Sequence, residues 1–180
     1  MVKLNLTSQI VLNKVPEEFY HPKTAVELSE LTRCEKIPTT IFPKSEEGAR
    51  SIANAIEKTI RQKQQSGQYC VLGLGTGSSL TPVFNELIRL HKEEGLSFSN
   101  VIVFNAYEYF PLQAGAKNST LNQLKERLLN HVDVNPQNVF SPEGTVPQER
   151  VQEFCRLYEQ RIQSFGGIDI MLLGIGRIGN

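Results

Sequence analysis

Three short stretches of this chain gather residue types that can do chemistry. GLGTGSS places Gly75, Thr76, Gly77, Ser78 and Ser79 between an apolar run and a Thr-Pro pair that starts a helix. Glycines let backbone N–H groups close on one anion, and a helix N-terminus favours negative charge there. The hydroxyls of Thr76, Ser78 and Ser79 are further donors, so the stretch reads as a phosphate cradle. No Lys follows the glycines, which excludes the nucleoside-triphosphate loop. The plainer alternative is a tight strand-to-helix turn with no ligand.

FNAYEYF ends a second apolar run in Asn105, Tyr107, Glu108 and Tyr109. An amide, a carboxylate and two phenols can line a polar cleft or move a proton. Alternation along a strand sets Asn105, Tyr107 and Tyr109 on one side and Glu108 on the other. Tyr107 and Tyr109 read plainly as cleft walls, and Glu108 as a hydrogen-bond acceptor for backbone or a cation beneath the site. GIGRIGN is a literal GxGxxG, with Gly176, Arg177 and Asn180 following a third apolar run. Arg177 can fork onto a phosphate or carboxylate, or make a surface salt bridge. As a dinucleotide fingerprint the stretch is weak, because the acidic residue expected about 20 positions later falls beyond Asn180.

The elements that must position these stretches alternate. Ser45 caps a helix whose apolar face is Ala49, Ile52, Ala53, Ile56 and Ile60. CVLGLGTGSS is a short buried strand running into glycines; Thr81-Pro82 starts a helix through Val83, Phe84, Leu87, Ile88 and Leu90, ended by Gly95. Then come the strand VIVFNA, a helix over 118–130, the short strand NVFSPEG, a helix from Pro147 to Phe165, and the strand IDIMLLGIG. The Pro147 helix carries Val151, Phe154, Cys155, Tyr158 and Ile162 on its apolar face. Continuously apolar strands alternating with helices predict an α/β fold: a doubly wound, mostly parallel, Rossmann-like sheet covered on both faces. In such sheets ligands bind beyond the carboxyl ends of the strands, where all three stretches lie.

Composition sets the bounds. At 180 residues, 39% apolar and 21% charged, the chain suits a globular domain with a real core. A formal net charge of zero gives no bulk attraction to nucleic acid or to an anionic membrane. Cys34, Cys70 and Cys155 are odd in number and lack CxxC spacing, so they build neither a disulfide framework nor the usual zinc knuckle. Cys70 and Cys155 read as buried thiols, and no metal site is expected. With no signal peptide or span of membrane length in the sequence, a cytoplasmic protein is expected. His91 and His131 lie near helix ends as surface residues, and His21 is assigned no role.

Read together, LGLGTGSSLTPVFNELIRLHKEEGLSFSNVIVFNAYEYFPL, HVDVNPQNV, CRLYEQRIQSFGGID and IMLLGIGRIGN resemble the glucosamine-6-phosphate deaminase/isomerase family over residues 37–180. Residues 1–36 stand apart as an N-terminal extension. The resemblance implies a cofactor-free conversion of glucosamine 6-phosphate to fructose 6-phosphate and ammonia. It places Thr76, Gly77 and Ser78 around a sugar phosphate, and it displaces the dinucleotide reading of GIGRIG. The family's F-N-x-D-E-Y motif holds a catalytic Asp where this chain has Tyr107. Its G-x-G-x-D-G-H motif holds an Asp and a ring-opening His where this chain has Ile178 and Asn180.

A base working on a carbon beside a carbonyl must be ionised near neutral pH, and an ordinary phenol, with a pKa of about 10, is not. Isoleucine has no polar group, and asparagine cannot shuttle a proton. The expectation is a sugar-phosphate cleft without the standard deaminase machinery, with Tyr107 or Glu108 as the remaining catalytic candidates. The alternatives are a non-enzymatic sugar-phosphate sensor or interaction domain, and a dinucleotide-binding oxidoreductase. The fold is expected to be incomplete at its C-terminus, continuing past Asn180. If the chain ended there, the open sheet would predict a homo-oligomer or poor solubility.

Overall fold

The computed structural model describes residues 23–33, 37–113 and 115–176. Cys34, His21, Arg177, Ile178, Gly179 and Asn180 lie outside the described residues. The chain divides into two compact units, Met1–Gly48 and Ala49–Asn180. In the first, helix α1 (Ala25–Thr32) starts at a capping box: the Thr24 hydroxyl accepts from Glu27 N, and the Glu27 carboxylate accepts from Thr24 N.

The second unit is built on a four-stranded parallel sheet in the order β3-β2-β1-β4. The strands are β1 (Cys70–Leu74), β2 (Val101–Asn105), β3 (Val139–Phe140) and β4 (Ile170–Leu172). β1 and β2 are buried at every residue, as expected of central strands covered on both faces. Helices α2 (Ser45–Gln65), α3 (Thr81–Glu94) and α4 (Thr120–Arg127) supply the main core with Ala53, Ile56, Ile60, Phe84, Leu87 and Leu124. These pack on Leu72, Leu74, Val101, Val103 and Leu172. The alternate strand residues Val71, Ile102 and Phe104 face the other way, where Tyr158 and Ile162 of α5 (Val151–Ser164) meet them.

Several boundaries differ from expectation for local reasons. Ser78–Leu80 forms a 3-10 turn, so α3 begins one turn after the glycines with Pro82 in its first turn. Gly95 ends α3 at φ 66°, its N–H bonded to Leu90 O, as its lack of a side chain allows. The helix expected over 118–130 stops as α helix at Arg127 and continues as a 3-10 turn, Leu129–His131. Ile52 is 41% exposed rather than on the buried face of α2.

The buried Cys155 is corrected: its thiol is exposed, whereas Cys70 is buried as expected. Phe154, Tyr158 and Ile162 fall four apart and form one narrow line on α5, and that helix buries no residue fully. Cys155 sits beside the line, not on it.

Candidate active site

The glycine loop and the Asn-Tyr-Glu-Tyr cluster meet at the carboxyl ends of β1 and β2. Leu74 pairs with Asn105, so the segments following these two strands leave the sheet side by side. The Tyr107 hydroxyl lies 3.2 Å from Thr76 Oγ1. Its ring lies over Gly75, with Cε1 3.7 Å from where a Cβ would stand. Thr76 is 4% exposed, while Ser78 and Ser79 are open to solvent. The third stretch arrives from β4: Gly75 N donates to Leu172 O, and a Cβ on Gly174 would stand 2.5 Å from Ser79 Oγ. The two glycine turns touch there, and a side chain at position 174 would require the exposed Ser79 hydroxyl to rotate away. Gly176 is exposed at the end of the described chain.

Asn105 is fully buried and ties the site's floor together. Its Nδ2 lies 2.9 Å from Tyr107 O, 2.8 Å from Thr120 Oγ1 and 2.9 Å from Ser141 Oγ. The Thr120 hydroxyl also donates to Tyr107 O. From the far face, the Tyr158 hydroxyl donates to Asn105 O at 2.8 Å, and burial pushes that phenol up from its ordinary pKa. Asn105 Oδ1 has no partner among the described residues.

β2 ends at Asn105, so strand alternation does not set the sides beyond it. The Glu108 carboxylate turns to the N-terminus of α4, and Tyr109 lines a cavity with Glu108 rather than sharing the side of Tyr107 as expected. The Glu108 carboxylate accepts from Ser119 Oγ at 2.7 Å, Thr120 N at 2.9 Å, Leu121 N at 3.3 Å and Tyr109 N at 3.0 Å. Ser119 is the N-cap of α4, so Glu108 sits on that helix's N-terminus. Partial burial favours the neutral acid, but the backbone and hydroxyl donors outweigh it and hold the carboxyl below its ordinary pKa. A carboxylate with four donors and a depressed pKa is a weak base. Its geometry is that of a brace between the β2 loop and α4.

The other end of α4 braces the other loop. Arg127 Nη1 donates to Thr76 O at 2.6 Å. Sequence reading missed Arg127, Thr120, Ser119 and Ser141, because a helical period marks which residues face the core, not which helix ends reach a loop. The N-cap signal of Ser119 before Thr120 was the only visible hint. Among the described residues, no group of three or more His, Cys, Asp or Glu is placed to hold a metal ion.

A separate cavity of about 680 Å³ opens beyond β3, lined among others by Tyr109, Phe140, Phe154, Leu157 and Tyr158. None of residues 75–79 lines it, and the carboxylates that follow β2 and β3 in its wall, Glu108 and Glu143, are already hydrogen-bonded, to the N-terminus of α4 and to Thr145. The polar groups converge at the glycine loop instead, and the candidate site is placed there.

Comparison with known proteins gives the family. Residues 43–179 match the model of the family described as glucosamine-6-phosphate isomerases/6-phosphogluconolactonase. A glucosamine-6-phosphate deaminase-like protein of Bacteroides thetaiotaomicron is 60% identical over 99% of this chain, which spans 27% of that protein. Glucosamine-6-phosphate deaminase 2 of Giardia intestinalis is 40% identical over 76% of this chain, covering 50% of its own length.

Among solved structures, a monomeric glucosamine-6-phosphate deaminase superposes with a TM-score of 0.69 at 37% identity, over 76% of this chain and 54% of that one. A 6-phosphogluconolactonase of Thermotoga maritima, at 19% identity and a TM-score of 0.52 over 69% of this chain and 56% of its own, shares the fold. The chain thus spans about half or less of the relatives it matches. It belongs to the glucosamine-6-phosphate isomerase/6-phosphogluconolactonase family.

Proposed function

We propose that this chain carries the sugar-phosphate cleft of a glucosamine-6-phosphate deaminase-like protein and lacks that family's standard proton-transfer groups. The observation that carries the reading is the place of Tyr107. Its phenol rests on Gly75 and hydrogen-bonds Thr76, at the position where the resembling enzymes hold a catalytic Asp. The nearby carboxylate, Glu108, is committed to the N-terminus of α4 and faces away. Thr76, Gly77, Ser78 and Ser79 receive the phosphate through backbone N–H groups and hydroxyls, while Tyr107 and Asn105 line the cleft. The GIGRIGN motif, which includes Arg177 and Asn180, corresponds to the turn that the resembling family uses for the sugar. No organic cofactor takes part.

The ligand is an amino sugar phosphate, bound with slow turnover or none. Full-length protein titrated with glucosamine 6-phosphate will show a raised melting temperature and little ammonia release. Ammonia release at ordinary enzymatic rates would refute the loss of machinery. An unchanged melting temperature with glucosamine 6-phosphate and its close relatives would refute the cleft, and would favour an interaction domain.

A further inference from the structure

The geometry points to Arg127 as a phosphate-binding residue of this cleft, supplying the positive charge that the glycine loop itself lacks. The inference rests on the sugar-phosphate reading above and deepens it.

Taking a guanidinium or ammonium out of water is costly unless a partner compensates, so partly buried cations are normally paired. Among the described residues the half-buried Lys and Arg side chains are Arg61, Lys63, Arg89 and Arg127. Arg61 pairs with Glu57, Lys63 with Asp169, and Arg89 with Glu86. Arg127 alone faces no carboxylate among the described residues, and its one hydrogen bond there is from Nη1 to Thr76 O. The remaining donors of its fork have no partner among the described residues.

Its position gives this vacancy a meaning. Arg127 is in the last turn of α4, and it is the only Lys or Arg side chain hydrogen-bonded to residues 75–79 among those described. The loop has backbone N–H groups and three hydroxyls but no cation of its own, and no Lys follows its glycines. A guanidinium fixed on the loop's own carbonyl keeps its charge beside whatever anion the loop holds. Its planar fork can add charge-assisted bonds to phosphate oxygens. The Thr76 carbonyl and the C-terminal end of α4 offset part of that charge, and an anion held on the loop would complete the pairing.

The test uses full-length protein, R127Q and R127K, with glucosamine 6-phosphate and inorganic phosphate as titrants in calorimetry at low and high salt. R127Q keeps an N–H donor and loses the charge. It is expected to weaken both ligands by roughly ten- to hundredfold, the worth of a charged hydrogen bond, and to flatten the salt dependence of binding. R127K is expected to recover part of the affinity and keep the wild-type salt dependence.

Wild-type affinity in R127Q overturns the proposal, as does weaker binding with unchanged salt dependence, which marks a brace. If R127Q does not fold, R127K decides, and a flattened salt dependence there overturns it too. Arg127-dependent binding of inorganic phosphate without any of glucosamine 6-phosphate sustains Arg127 and removes the amino-sugar reading. Binding of neither ligand by the wild type removes both.

Discussion

Replacing Glu108 by Gln separates a brace from a base. The variant keeps the size and shape of the side chain but exchanges one acceptor oxygen for an amide that cannot accept. Four donors now converge on the carboxylate: Ser119 Oγ, Thr120 N, Leu121 N and Tyr109 N. Gln retains one oxygen for two of them and removes the charge that complements the N-terminus of α4. A helix cap and the charge–dipole interaction are each worth about 1 kcal/mol. Since Glu108 is only partly buried, the expected cost is about 1–2 kcal/mol at neutral pH, and 2–4 °C per kcal/mol makes that a fall in Tm of about 2–8 °C.

The pH dependence gives the sharper reading. Hydrogen bonding holds the folded pKa of Glu108 below its unfolded value, so its contribution is fully present above the unfolded pKa of about 4.3. That contribution disappears as pH falls through the folded pKa. Thermal melts of wild type and Glu108→Gln should therefore differ at pH 7 and converge in acid below pH 4. A stability difference that is absent at pH 7, or persists unchanged in acid, refutes the bracing argument. Loss of a measurable ammonia-releasing activity in a variant of wild-type stability would make Glu108 a base after all.

Three further outcomes follow from the same geometry. Gly144→Ala should destabilise by about 2 kcal/mol in denaturant titration, because its Cβ would run into the Tyr109 carbonyl and stand 2.8 Å from Leu112 Cβ. Asn105→Leu keeps the branched outline of the side chain, with somewhat more bulk, but removes the buried donor shared by Tyr107 O, Thr120 Oγ1 and Ser141 Oγ. It should cost about 2–3 kcal/mol by the same titration. In a Cys34→Ser background, a thiol reagent at neutral pH should label Cys155 quickly in native protein. Cys70 should react only on unfolding, since it is buried and its pKa is pushed up to about 12 by desolvation.

What the sequence made legible was the sheet and the three strand ends; what it hid was the bracing that joins them. Apolar runs such as CVLGL and VIVFN announce buried parallel strands, and the glycines after the first announce a turn toward an anion. These are local signals, carried by residue type and period. The thiol of Cys155 was misplaced because a period identifies a helical face but not its width, which depends on how much sheet lies beneath it. Arg127 and Glu108 were harder still.

Glu108 reads as a spare carboxylate beside Tyr107 until the N-terminus of α4 is seen over it. Arg127 reads as an ordinary last-turn cation until the Thr76 carbonyl is seen within reach. One eight-residue helix thus holds both loops of the cleft, its N-terminus on the β2 loop and its last turn on the glycine loop. The spacing between Thr76 and Tyr107 is set from both sides of that helix. Neither of these two attachments runs through the Tyr107 side chain. On the proposed reading, a phenol in place of a carboxylate at Tyr107 therefore need not loosen the glycine loop.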